Sequence, residues 1–317
     1  FNQLFLAFLT IAIFITCTST AKQRPEGGWL WKISGNGLSH PSYLFGTYHG
    51  TYDILYQYTD SIPELHQAFN ACSQFAGESE TTSKPTPAQV GVAIKLPKDT
   101  TYADLLNKED FHFLDSIVRQ SLKSPLNKVY IKPNFLALIL GEIEKGKKLV
   151  DTGYSQSRID SMKSQVMDIA LEKKAKEKGL TIVGLEGIFD AFVSEKSNLK
   201  KEADELISDL REDDEISPLS FVNTLSDVYR TQNMKSLIDF EVKVDSIFRT
   251  SPKLTEIGKR IREDLLKRRN LNWMNKIPEL MKAQPTFIAV GVRHLPGKDG
   301  LIALLLEKGY QVEPIGL

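Results

Sequence analysis

Two short stretches near opposite ends of the chain share one design. Tyr43-Leu44-Phe45-Gly46-Thr47-Tyr48-His49 and Phe287-Ile288-Ala289-Val290-Gly291-Val292-Arg293-His294 each run from an apolar, strand-like segment through Gly and two more residues to His. Gly belongs where a backbone turns sharply or lets a ligand come close. A His three residues later then stands beyond the carboxyl end of a strand, where open α/β sheets build their sites. Imidazole titrates near neutrality and offers a nitrogen lone pair, so His49 and His294 could ligate a metal or act as a general base. Acidic residues occur at equivalent places: Glu78 follows Phe75-Ala76-Gly77, with Glu80 two residues on, and Glu186 follows Ile182-Val183-Gly184-Leu185. A carboxylate beside a core is costly to bury unless it is paired, ligating or titrating. A salt bridge would satisfy either Glu, and Glu186 could also favour the amino-terminal pole of a following helix. Two His and one or two Glu meeting at strand ends would suit a divalent ion with an open coordination position. A spare carboxylate would then take the proton from metal-bound water.

Other chemistries find less support. The chain has no Gly-x-Ser-x-Gly elbow, no His-Glu-x-x-His helix, no P-loop and no Gly-x-Gly-x-x-Gly after a strand. Cys72 falls in helical register with Leu65, Ala68 and Phe69, the setting of a packed core thiol rather than a nucleophile. His40, His66 and His112 read as structural residues in a turn, on a helix flank and beside an apolar helix face. With 40 Lys+Arg against 40 Asp+Glu among 317 residues, no basic surface favours nucleic acid. The peptide or small-molecule substrate of a hydrolase is the partner these residues suggest.

The elements that would position the candidates form an α/β (α+β) pattern. Trp29–Ile33 and Tyr43–Phe45 flank Gly35-Asn36-Gly37 and read as a hairpin. A helix is expected from Pro63, a strand at Gln74–Gly77, and helical periodicity from about 101 to 283, with stripes at Phe111/Leu114/Ile117/Val118 and Phe135/Leu138/Ile139. One strand, Thr181–Leu185, interrupts it after the Gly179 stop signal. Strand Thr286–Val290, helix Gly300–Lys308 and strand Tyr310–Pro314 close the chain. Together they predict one mixed central sheet surrounded by many helices, with both Gly-x-x-His elements at strand ends.

The first 21 residues carry no charged side chain, and Leu4–Ile15 is an apolar run of signal-peptide length. Ser19 and Ala21 suit cleavage after Ala21, with the basic leader region upstream of Phe1. Acylation at Cys17 is the alternative, giving a lipid anchor. Either way residues 22–317 are expected to be a single exported domain, periplasmic or secreted.

The stretches Leu30-Trp31, Ser42–His49 and Phe75–Glu78, then Phe287–Leu301 with Leu305–Val312, resemble the TraB/GumN/Tiki family. Asp168 with Ala175 and Gly179, then Leu185-Glu186, and Arg269-Asn270 with Trp273 fall where that family has its internal motifs. The resemblance spans about Trp29 to Pro314. It implies a fold similar to erythromycin-esterase-like and haem-binding ChaN-like proteins, in a family that includes divalent-metal-dependent Tiki proteases and bacterial members of unknown activity. Carried over, it implies a metal site of His49, Glu78 and His294 for Mn²⁺, Co²⁺ or Zn²⁺. Glu186 or Glu80 would be the proton acceptor, and Arg269 or Arg293 the stabiliser of an oxyanion. A metal-free variant would use His49 or His294 as base. Haem or metal binding without catalysis, and a non-catalytic signalling role, are the alternatives. Gly187 after Glu186 and Gly50 after His49 depart from the family's usual residues.

Overall fold

The computed structural model describes residues 27–48, 63–80, 86–151, 153–155, 157, 166–190, 198–211 and 225–316. The leader, the Cys17 anchor and His49 lie outside the described residues. Six strands form one mixed sheet in the order β4-β3-β5-β2-β1-β6, where β1 is Leu30–Ser34, β2 Ser42–Thr47, β3 Gln74–Gly77, β4 Thr181–Gly184, β5 Thr286–Gly291 and β6 Gln311–Ile315. The expected hairpin is β1 against β2, and β6 pairs antiparallel with the far edge of β1. Its turn bends through Gly35, Asn36 and Gly37 at φ of 76°, 45° and 80°, and the Asn36 amide donates to the Lys308 carbonyl at 2.8 Å.

β2, β5, β3 and β4 run parallel. Parallel strands are covered on both faces, so they are written as unbroken apolar runs. In β5 Phe287, Ile288, Ala289 and Val290 are all fully buried. Phe287 meets Phe69 at 5.1 Å and Phe75 at 6.3 Å between ring centroids. Phe69 comes from the helix Pro63–Asn70, whose Leu65 and Ala68 bury together with Cys72 as the helical register predicts. Because the four strands are parallel, their carboxyl ends share one edge of the sheet, at Thr47, Gly77, Gly184 and Gly291.

A second core is built mainly from helices. Leu96, Leu105, Leu114, Val118, Leu126, Leu136, Leu140, Leu206 and Ile207 pack together between helices Lys108–Leu122, Pro133–Asp151 and Leu199–Arg211. Most of this lobe lies in the connection from β3 to β4. One expected stripe is rotated: in helix Pro133–Asp151, Leu138 is 45% exposed, while Phe135, Leu136 and Leu140 face inward. Leu136 and Leu140 are themselves an i, i+4 pair, and the second core selects that line of contact. Beyond this lobe a π-helix, Ile261–Lys267, feeds directly into the helix Arg268–Trp273. Among the described residues no helix is long and apolar enough to cross a membrane.

Gly46 sits where β2 passes closest to the turn after β5. A Cβ there would stand 2.8 Å from Val292 Cγ2 and 3.1 Å from Val292 Cα. Gly46→Ala should therefore destabilise by about 1–3 kcal/mol, the usual cost of overpacking, read as a lower urea midpoint. Burial pushes the Cys72 thiol up from 9.0 to about 12. The folded chain holds that proton more tightly than the unfolded one, so this contribution is complete below pH 9.0 and is lost as pH rises toward about 12. Urea midpoints measured below and above pH 9.0 should fall less steeply in Cys72→Ala than in the native chain.

Candidate functional site

The two acids are placed side by side by an extension of the sheet. Past the last strand residues, Leu185 donates its N–H to the Gly77 carbonyl at 2.9 Å and Glu186 donates to the Glu78 carbonyl at 2.8 Å. Gly184 makes this approach possible, since a Cβ on it would meet the Glu80 nitrogen at 2.9 Å and the Glu186 oxygen at 3.0 Å. The side chains of Glu78 and Glu186 then converge on Arg269. Its Nη2 donates to Glu78 Oε2 and to Glu186 Oε1, each at 2.5 Å, and its Nε donates to Glu186 Oε1 at 2.9 Å. The remaining oxygens are also engaged: Glu78 Oε1 accepts from the Gly291 N–H at 2.7 Å, and Glu186 Oε2 from Trp273 Nε1 at 3.0 Å. Burial alone would weaken Arg269's hold on its proton, but the contacts with Glu186 and Glu78 reverse that and raise its pKa above the ordinary guanidinium value.

His294 completes the group from the turn Val292–His294 that follows β5. It is 4% exposed. Its Nδ1 lies 2.7 Å from Asn270 Oδ1. The Asn270 nitrogen donates to two carbonyls, His294 O at 3.2 Å and Asp299 O at 2.8 Å. Carbonyls only accept, so this orients the amide with its oxygen toward Nδ1 and assigns the ring proton to Nδ1. Nε2 is then the bare nitrogen, and it accepts from Arg269 Nη1 at 3.2 Å. Trp273 backs both groups, its ring 4.5 Å from His294 and 4.7 Å from the Arg269 guanidinium carbon. Arg269, Asn270 and Trp273 lie within two turns of one short helix.

Glu78, Glu186, Arg269 and His294 form the floor of a cavity of about 680 Å³ whose other walls include Thr47, Asp168, Glu172, Ile261 and Arg293. Thr47 donates to Asp168 Oδ1 at 2.8 Å, and Glu172 lies 3.6 Å from Lys176 Nζ. Tyr229 steadies the end of β2: its hydroxyl donates to the Gly46 carbonyl at 2.8 Å and its ring stacks on Trp29 at 5.3 Å.

The structure thus brings together Glu78, Glu186, Arg269 and His294. Glu80 is not among them; it points to Lys176 at 3.4 Å on the surface. Arg293 reaches the cavity wall but is clamped by Glu241 through Nε and Nη2 at 2.6 and 2.9 Å. Of the two candidate guanidinium groups, only Arg269 meets the acids and the imidazole. His49 follows Thr47 and Tyr48 at the cavity wall and lies outside the described residues. Asn270 and Trp273 are the partners that strand-end reasoning misses, because they act from a helix; Asn270 beside Arg269, with Trp273 one turn on, was the available signal.

Of the three residues expected to hold a metal, Glu78 and His294 meet here, and His49 lies outside the described residues. Glu78 Oε1 and His294 Nε2 are 3.8 Å apart, but Arg269 already places its positive charge against Glu78, Glu186 and His294. Among the described residues no group of three or more His, Cys, Asp and Glu is arranged to hold a metal ion.

Residues 29–314 match the model of the TraB/PrgY/gumN family, and the chain belongs to that family. A comparison with curated proteins finds no match, and neither does one with solved structures.

Arg269→Met would leave two largely buried carboxylates without their counter-charge. It should cost about 3 kcal/mol or more in urea unfolding, as breaking a buried pair does. Arg269→Lys keeps the charge but not the fork that spans both acids, and should recover only part of that loss.

Proposed function

For this member of the TraB/PrgY/gumN family we propose a hydrolase of peptide or ester bonds in which His294 is the general base and Arg269 the oxyanion stabiliser. The observation that carries the reading is the His294 imidazole in the cavity lining, whose Nδ1 is held by Asn270 and whose Nε2 lies 3.2 Å from Arg269 Nη1. A water that replaces the Arg269 Nη1 contact hands its proton to Nε2 as its oxygen attacks the scissile carbonyl carbon. Arg269 keeps its two glutamates and offers Nη1 to the developing oxyanion. Fixed in place beforehand, it needs little reorganisation when the charge appears. As the tetrahedral species collapses, the C–N or C–O bond breaks and the proton on Nε2 passes to the leaving nitrogen or oxygen. Glu78 and Glu186 orient the guanidinium; they are saturated with donors and do not carry the proton. Because Arg269 already occupies the centre of the donor set, no step is assigned to a metal ion. Export of the protein is part of the proposal and rests on the charge-free apolar run Leu4–Ile15.

The test begins with a panel of peptides and activated esters incubated with the purified chain. His294→Gln should lower kcat/KM on any substrate found by about 10²–10⁴-fold, the usual contribution of a positioned base, in a chain that still unfolds cooperatively well above the assay temperature. Extended treatment with EDTA should leave the native rate unaltered. Full activity in the variant ends the proposal. Loss of activity in EDTA with recovery in Mn²⁺ replaces it with the His49, Glu78 and His294 metal site.

A further inference from the structure

Three of the large apolar side chains left exposed on the described surface belong to one opening. Ile169 is 36% exposed, Ile188 37% and Leu265 39%, and all three line the cavity above His294 and Arg269. They come from separate elements: helix Met167–Glu177, the turn after β4 and the π-helix. Exposed apolar residues scattered singly need no explanation, but a set gathered at the mouth of a concave site does. Deeper in, Phe75 and Val292 continue the apolar wall. Apolar and polar groups thus line the same cavity, the make-up of a pocket that fixes a reacting group and shelters an apolar one.

Charge narrows the occupant further. Four carboxylates line the cavity, Glu78, Asp168, Glu172 and Glu186, against two guanidinium groups, Arg269 and Arg293. Outside the lining, Glu241 neutralises Arg293 and Lys176 stands 3.6 Å from Glu172, so these two offset each other. The excess is negative, so a further carboxylate on the substrate is repelled at short range. A space of about 680 Å³ admits a few residues of extended peptide and not a folded surface.

From these observations we infer the substrate class of the site: a peptide carrying an uncharged apolar side chain beside the scissile bond, with acidic side chains at that position rejected. The inference rests on the hydrolase reading for the word scissile, but the pocket's preference can be measured without turnover. Binding of N-acetylated, amidated Ala-Gly-Ala, Ala-Leu-Ala and Ala-Glu-Ala is followed by calorimetry on the native chain and on Leu265→Ser. The leucine peptide should bind at least about ten-fold more tightly than the glycine peptide, from burial of one aliphatic side chain, and the glutamate peptide most weakly. Leu265→Ser should shrink the leucine-to-glycine ratio, and Ile169→Ser serves the same purpose should the first variant fail to fold. Equal affinity for all three peptides, no binding, or tight binding of the glutamate peptide overturns the inference. The expected order of affinity with no cleavage of the matching peptides and esters upholds the pocket and ends the hydrolase reading instead. Cleavage that ignores the side chain does the reverse.

Discussion

The site depends on one permanent cation held where water barely reaches. Arg269 joins Glu78, 191 positions away in sequence, to Glu186, 83 positions away. Two carboxylates brought together at the end of a sheet would repel each other and lose hydration, and one would take up a proton. A guanidinium between them removes the repulsion, and its planar fork matches two carboxylates in a way an ammonium cannot. The same side chain faces His294 Nε2. A protonated Nε2 would set two donors against each other, so the imidazole is kept as an acceptor by the group that binds the acids. Pairing of the glutamates and orientation of the imidazole are thus one arrangement.

That arrangement is affordable only because the sheet delivers its parts to the same edge. β2, β5, β3 and β4 are parallel neighbours, and the last or next-to-last residue of each is a glycine: Gly46, Gly291, Gly77 and Gly184. At Gly46 and Gly184 the nearest atoms leave no room for a Cβ. The glycines therefore let chains pass closely at the place where strands end and functional residues begin. Gly291 adds a donor, its N–H reaching Glu78. The antiparallel strands β1 and β6 contribute none of the lining; they extend the sheet beside β2.

Much of this was legible in the residues. Strand-end placement put Glu78, Glu186 and His294 among the candidates, with a salt bridge as the other reading of either Glu, and the resemblance added Arg269; the structure brings these four together. The helix stripe of Leu65, Ala68, Phe69 and Cys72 was equally plain. What could not be read is which partner each polar group finds. The hydrogen bonds of Arg269 span separations no local pattern encodes, and the π-helix before it changes the angular step by which a helix face is projected. Glu80 misled because β3 ends at Gly77, so alternation no longer governs two residues later. Leu138 misled for a related reason: several apolar residues of helix Pro133–Asp151 could make a stripe, and only the facing helices decide which does.

The second core stands apart from the cavity. Helices from 87 to 151 and from 199 to 211 bury their own apolar faces against one another, and none of their residues lines the cavity. They meet the rest of the molecule partly through ion pairs near the π-helix: Arg260 bonds Glu205, and Lys201 lies 3.8 Å from Glu256. Exposed pairs of this kind contribute little to stability. A lobe with its own core and weak polar links can vary in length and surface without disturbing the floor, whose groups are held by the strands and by Arg268–Trp273. The cavity floor is therefore set by the residues that leave the strand ends and by one short helix, and not by the helical lobe.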